Sequence, residues 1–239
     1  MIRFTIFGVP VEIQPMFWLT GALLGGATRA NTQEALMGVV VFIVIMAISI
    51  LVHELGHALV GRRLGGGHAS ITLWGLGGLA YNHGGRFTRR GTFWMVAAGP
   101  GAGFALCLLV VLLVCLGFGP MDGLNLSSLL LFNEVITFPS AEVVDFIREG
   151  GPRLDVVHHF LWINFWWGVI NLLPVLPLDG GRIADLFVKP QKRVYQIGFI
   201  TGTVMAIYAI TQMGSVYTAV MFGYLAFRNF QQMKENSWS

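Results

Sequence analysis

Two histidines and a glutamate stand in ILVHELGHALVGRR, residues 50–63, at the end of a long apolar run. His53 and His57 are four residues apart, so on a helix they share one face about one turn from each other. That spacing lets two imidazoles hold one zinc ion, with Glu54 beside the first ligand and able to act on water at the metal. Zinc lowers the pKa of such a water to about 7, and a neighbouring carboxylate can take its proton. Gly56 and Ala58, inside the motif, are expected to leave room beside the metal. Without a ligand role, burying three titratable groups in apolar sequence costs several kcal/mol. The alternative is a pair of histidines that only bond between helices.

A catalytic zinc takes three protein ligands and keeps one position open. The distant acidic residue that fits is Asp179, in NLLPVLPLDGGR at 171–182. Pro174 and Pro177 prevent a regular helix there, and the glycines after Asp179 let the backbone turn sharply. A carboxylate on broken backbone can reach back into a helix bundle. Asp-Gly is also a common turn signal, so alone Asp179 is equally a turn or cap residue. The histidine pair favours the ligand reading. Asn171 either donates to substrate backbone or a developing oxyanion, or bonds between helices. Asn164 presents the same alternatives. His68, His83, His158 and His159 are not expected to ligate once three ligands are assigned. Trp162, Trp166 and Trp167 read as packing or interface residues.

The elements that must carry these residues are membrane helices. Charged residues make up 11% of the chain and hydrophobic ones 55%, whereas a soluble domain carries about 25% charged residues. A spanning helix needs about 20 mostly apolar residues. Crossings are predicted near 16–28, 35–60, 93–117, 157–176, 194–211 and 215–228, with TQMGS (211–215) as the turn between the last two. The expected fold is an all-α polytopic membrane protein with about six transmembrane helices and a short membrane-associated β-hairpin. Six crossings place Arg29, Arg148 and Arg153 on one side and the other twelve lysines and arginines on the opposite side. Positive residues stay cytoplasmic. Both termini and the 62–92 loop are therefore expected in the cytoplasm of a multi-pass cell (inner) membrane protein. The acidic 118–156 loop lies outside, and the site near the cytoplasmic face.

Residues 2–13 alternate weakly and read as a strand or hairpin at the membrane surface. The glycine-rich 64–85 segment is too short to span, and irregular backbone at membrane depth must be buried or line a wet cavity. It reads as a re-entrant hairpin beside the site. SAEVVDFIREGG (140–151) has a serine cap and a Gly-Gly stop, and reads as a short external amphipathic helix. Gly99 and Gly103 suit close helix packing. Cys107 and Cys115 lie eight apart on one helix and cannot bridge each other. No cleavable signal, separate soluble domain or nucleic-acid partner is expected, so residues 1–239 read as one transmembrane domain.

Taken together, HELGH (53–57) and NLLPVLPLDGG (171–181) closely resemble the site-2 protease family of intramembrane zinc metalloproteases. FGVPVEIQPMFWL (7–19) resembles the approach to that family's first helix. ITLWGLGGLA (71–80) resembles its membrane hairpin, and AAGPGAG (97–103) its third-helix motif. The resemblance implies one Zn2+ per chain, bound by His53, His57 and Asp179, with Glu54 as catalytic acid/base. Asn171 and Pro177 match residues of the active site and substrate path. It implies hydrolysis of a peptide bond within or near a transmembrane segment of a membrane protein substrate, in regulated intramembrane proteolysis. Gly103 stands where the family commonly has asparagine, and Gln14 where it commonly has histidine. Neither is a ligand position, so packing and substrate fit are affected rather than activity. The chain reads as a compact form without PDZ or CBS domain. A metal transporter or metal sensor could use the same His/Asp site. It would need a polar path across the bilayer, and 93–117 and 194–228 offer almost none.

Overall fold

The structure is a computed structural model and describes residues 1–235; the last four residues of the expected 1–239 domain lie outside them. It opens with a hairpin, β1 (Ile2–Ile6) and β2 (Val9–Ile13), followed by α1 (Pro15–Leu24) and the long α2 (Gln33–Gly65). Phe7 and Gly8 form the hairpin's two-residue loop, and both have positive φ (50° and 73°). That is the conformation which matches strand twist. Thr32 caps α2 by accepting the Ala35 amide at 3.1 Å, and Gly66 ends it at φ 71°. At 33 residues α2 is about 50 Å long, more than a bilayer core requires.

The glycine-rich stretch expected as a re-entrant hairpin beside the site forms β3 (His68–Trp74) and β4 (Gly77–His83). These strands join the N-terminal pair in one four-stranded sheet, β1-β2-β3-β4, with β2 and β3 parallel and the outer pairs antiparallel. A parallel pair needs a long crossover, which α1 and α2 supply. Strand alternation explains the pairing. Val9, Val11 and Ile13 on β2 and Ala69, Ile71 and Leu73 on β3 are buried on one face, against Ile50, Leu55 and Ala58 of α2. The sheet therefore fixes the site-bearing half of α2.

α3 (Arg89–Phe118), α4 (Pro120–Phe132), α5 (Ala141–Glu149) and α6 (Pro152–Asn171) follow. The amphipathic helix expected at 140–151 is α5, capped by Ser140. The rest of the expected external loop differs: α4 packs back along α3 and against α6. Asn164 donates to Ser49 Oγ at 2.9 Å and ties α6 to α2. α6 stops at Asn171, ahead of Pro174 and Pro177, and α7 (Asp179–Phe187) starts at the aspartate. α8 (Gln191–Thr211) and α9 (Val216–Glu235) form a hairpin, split where the TQMGS turn was expected.

Among the described residues, α2, α3 and α8 are long and apolar enough to cross a membrane. α1 is apolar but has only ten residues. Length and composition thus single out three spanning helices, fewer than the six crossings expected.

Candidate metal centre

The centre assembles where α2, α3 and the start of α7 meet. His53 and His57 lie on the buried face of α2, at 2% and 5% exposure. Asp179 arrives from 122 residues beyond His57 and is equally buried, at 5%. His53 Nε2 and His57 Nε2 are 3.2 Å apart, and each is 3.2 Å from Asp179 Oδ2. Tetrahedral ligands at zinc distances of about 2.0–2.1 Å stand about 3.3 Å from one another. The three atoms thus have the spacing of one face of a zinc tetrahedron.

The hydrogen bonds around them point the same way. His57 Nδ1 lies 2.9 Å from the Met95 carbonyl. A carbonyl only accepts, so Nδ1 carries the proton and Nε2 is left with its lone pair. Asp179 Oδ2 is a second acceptor facing it. Acceptors converging in a buried triangle are what a cation reconciles. His53 Nδ1 is buried without a hydrogen-bond partner. Arg182 reaches Asp179 Oδ1 at 3.5 Å and leaves Oδ2 to the histidines. Two histidines and one carboxylate are a borderline-hard donor set suited to zinc, and three protein ligands leave a position open.

Glycines make these approaches feasible. A Cβ at Gly99 of α3 would overlap His57 Nε2, so α3 can lie against the imidazole only with glycine there. Gly180 and Gly181 similarly lie on the backbone of Leu172, Val175 and Leu176, folding the Asp179 loop tightly. Gly103 is looser: a Cβ there would sit 3.5 Å from the Asn164 carbonyl, an ordinary contact. Gly56 packs against the Ala98 carbonyl of α3 and Ala58 is fully buried in the core under the sheet. These two residues serve helix and sheet packing, not the space beside the metal expected from the sequence.

Glu54 is 5% exposed and interacts electrostatically with His53, His57 and Asp179. It lies against Gly78 on β4. Asn171 is nearly buried, and its amide donates to the Trp167 carbonyl of its own helix at 2.9 Å, not to another helix. Pro177 is exposed, two residues before Asp179. His68 and His83 face each other across β3 and β4, away from the triangle, and His158 and His159 lie on α6. Among the described residues, His53, His57 and Asp179 form the one group of three metal-type donors. The sequence reading missed Arg182, whose i+3 spacing from Asp179 was visible, and the Met95 carbonyl, which no sequence signal marks.

A bundle of apolar helices enclosing a buried His-His-carboxylate centre defines the class: a metalloprotein of membrane type. Residues 41–209 match peptidase family M50, and the chain belongs to that family. Rip3 of Mycobacterium tuberculosis is 29% identical over 188 residues, which cover 79% of this chain and 36% of that protein. The zinc metalloprotease MJ0392 of Methanocaldococcus jannaschii is 23% identical over 224 residues, covering 91% of this chain and 56% of that one. The chain thus spans about half the length, or less, of these relatives. The solved structure of a site-2 protease from Methanocaldococcus jannaschii aligns with 97% of this chain and 94% of its own, with TM-score 0.59 and 21% identity. At that identity the likeness is one of fold. Family, fold and donor set agree with the resemblance carried by the sequence motifs.

Proposed function

We propose that the protein is a zinc-dependent intramembrane endopeptidase that cuts a peptide bond within or near a transmembrane segment of a membrane protein substrate. The observation that carries the reading is the buried 3.2 Å triangle of His53, His57 and Asp179, with Glu54 one residue from its first corner. Zinc held by these three residues would supply Lewis-acid polarisation of the scissile carbonyl and acidify water toward neutrality.

The chain's own residues account for the rest. Glu54 takes the proton of the attacking water and delivers it to the leaving amine. Burial in a largely water-excluded site strengthens every charge interaction there. β4 is one of the sheet's two edge strands, with Leu79 and Tyr81 exposed and Gly78 against Glu54, and receives the unwound substrate as an added strand. Asn171 has a second amide hydrogen beyond the one given to Trp167, and this supports substrate backbone or the developing oxyanion. Pro177 shapes the substrate path at the exposed approach to Asp179.

Residues 1–239 act as one transmembrane domain with six crossings, α1, α2, α3, α6, α8 and α9. Both termini and the centre's nearer opening face the cytoplasm, as Arg62 and Arg63 at the end of α2 favour. The protein works in the cell (inner) membrane, in regulated intramembrane proteolysis. The test is cleavage of a model transmembrane substrate by the full chain in detergent. Activity is expected to vanish with a zinc chelator, return with zinc, and be absent in Glu54→Gln. Chelator-resistant cleavage, or an active Glu54→Gln, would overturn the proposal.

A further inference from the structure

The segment from Gly119 to Ser140 leaves α3 and then returns along it. Gly123 lies so close to the Cys115 backbone that a Cβ has no room, and Leu126 packs with Val114. At its far end α4 brings Phe132 within 5.3 Å of Phe165 and 6.4 Å of Trp166. Phe165 in turn meets Phe104 at 6.1 Å. Phe104 stands at the middle of α3 (Arg89–Phe118). Over its 13 residues, about 20 Å, α4 thus descends from the end of α3 to the level of its midpoint.

The chain then comes back without regular structure. Asn133 reverses it in the left-handed region, at φ 58°. Asn125, buried at 1%, accepts the Ile136 and Thr137 amides on Oδ1 at 3.1 and 2.9 Å and donates to Thr137 Oγ1 at 2.9 Å. Asp122 Oδ1 accepts the Ser140 amide at 3.1 Å. Side chains of the descending helix therefore satisfy the Ile136, Thr137 and Ser140 amides of the returning limb. Irregular backbone at membrane depth requires such internal partners; in water the amides would be solvated without them. The limb's Val135, Ile136 and Phe138 are exposed, Phe138 completely. Leu112, Leu113 and Leu116 on α3 are likewise exposed apolar residues.

We propose that residues 119–139 are a re-entrant hairpin, helix down and extended chain back, inserted in the leaflet at the C-terminal end of α3. Its occupant surface is lipid: Val135, Ile136 and Phe138 contact acyl chains. The exposed apolar side chains of the limb and the Ile136 and Thr137 amides bonded to Asn125 carry this assignment. It rests on the reading that α3 crosses the bilayer. The hairpin fills the groove between α3 and α6 on that half of the membrane, so a substrate helix must reach the centre from another side.

The experiment uses the full chain in phosphatidylcholine/phosphatidylglycerol nanodiscs, with Cys107 and Cys115 replaced by alanine. Single spin-labelled cysteines replace Leu113, Val135, Phe138 and Asp145, and oxygen and nickel-chelate accessibilities are measured. Positions 135 and 138 are expected to favour oxygen, as 113 does, while 145 on α5 favours the nickel chelate. If 135 and 138 read like 145, the segment is an external loop or a soluble partner's docking site, and the proposal fails. An aqueous reading at 113 would overturn the α3 crossing as well, which separates the two claims. Glu134, beside the tip, provides a second readout, because a charge at that depth is costly. Glu134→Gln is expected to raise the unfolding midpoint in nanodiscs. An unchanged or lower midpoint contradicts insertion.

Discussion

The bundle carries two histidine pairs, and the backbone makes different things of them. His53 and His57 are four apart on α2, so both rings face α3 and Asp179, with centroids 4.9 Å apart and Nε2 atoms converging. His158 and His159 are adjacent on α6, with centroids 5.3 Å apart and partly exposed rings. Successive helical residues diverge by about 100°, so such rings cannot converge on one buried point. His159 packs edge-on against Phe42 instead, at 5.2 Å. Proximity is similar in the two pairs. What separates them is a shared face and a carboxylate brought by distant backbone.

The strongest way to break the comparison is to remove that carboxylate. Asp179→Ala is expected to weaken zinc binding by more than about 100-fold, since losses of supporting partners alone reach 10–100-fold. His158→Ala and His159→Ala should leave zinc affinity unchanged; competition with a chromophoric chelator measures all three. Gly99→Ala comes next. Its methyl group would press on His57 Nε2, and overpacking of this kind costs about 1–3 kcal/mol. Zinc affinity and the unfolding midpoint should fall together, while Gly103→Ala, with ordinary contacts, leaves both nearly intact. Arg182→Ala sharpens the account further. Asp179 loses the partner on Oδ1, and zinc affinity should drop by about tenfold, the low end for such supporting groups.

The smallest effect is expected at the start of α4. Hydrogen bonds from the Ser140 side chain and amide hold the Asp122 carboxyl below its usual range. A carboxyl with a lowered folded pKa contributes stability above its unfolded pKa, about 3.9, and loses it as pH falls through the folded value. Hydrogen exchange of the Ser140 amide should therefore quicken as pH is lowered past about 4, after correction for intrinsic rates, and Asp122→Asn should abolish that dependence. The bond is local to the start of α4, so global stability should barely move.

Much of the centre was legible because helical spacing and backbone breakers are local signals. The four-residue separation of His53 and His57 placed them together, and Pro174, Pro177 and the glycine pair marked Asp179 as sitting on broken backbone. The turn before Val216 and the capped helix at Ala141–Glu149 were legible for the same reason. The parallel pairing of β2 with β3 was not, because it joins strands separated by two helices through a face that becomes apolar only when they align. The return of α4 along α3 was also hidden, since 13 residues mixing leucines with Asp122, Asn125 and two serines do not announce what they pack against. Gly56 was misread because its sequence neighbours are ligands, whereas its spatial neighbour is the Ala98 carbonyl.

The most direct test is bound zinc per chain, measured in detergent for the wild type, Glu54→Gln and Asp179→Ala. The account predicts about one zinc in the wild type and in Glu54→Gln, and a much weakened site in Asp179→Ala. Absence of zinc from the wild type would contradict it, as would zinc that depends on Glu54 and not on Asp179.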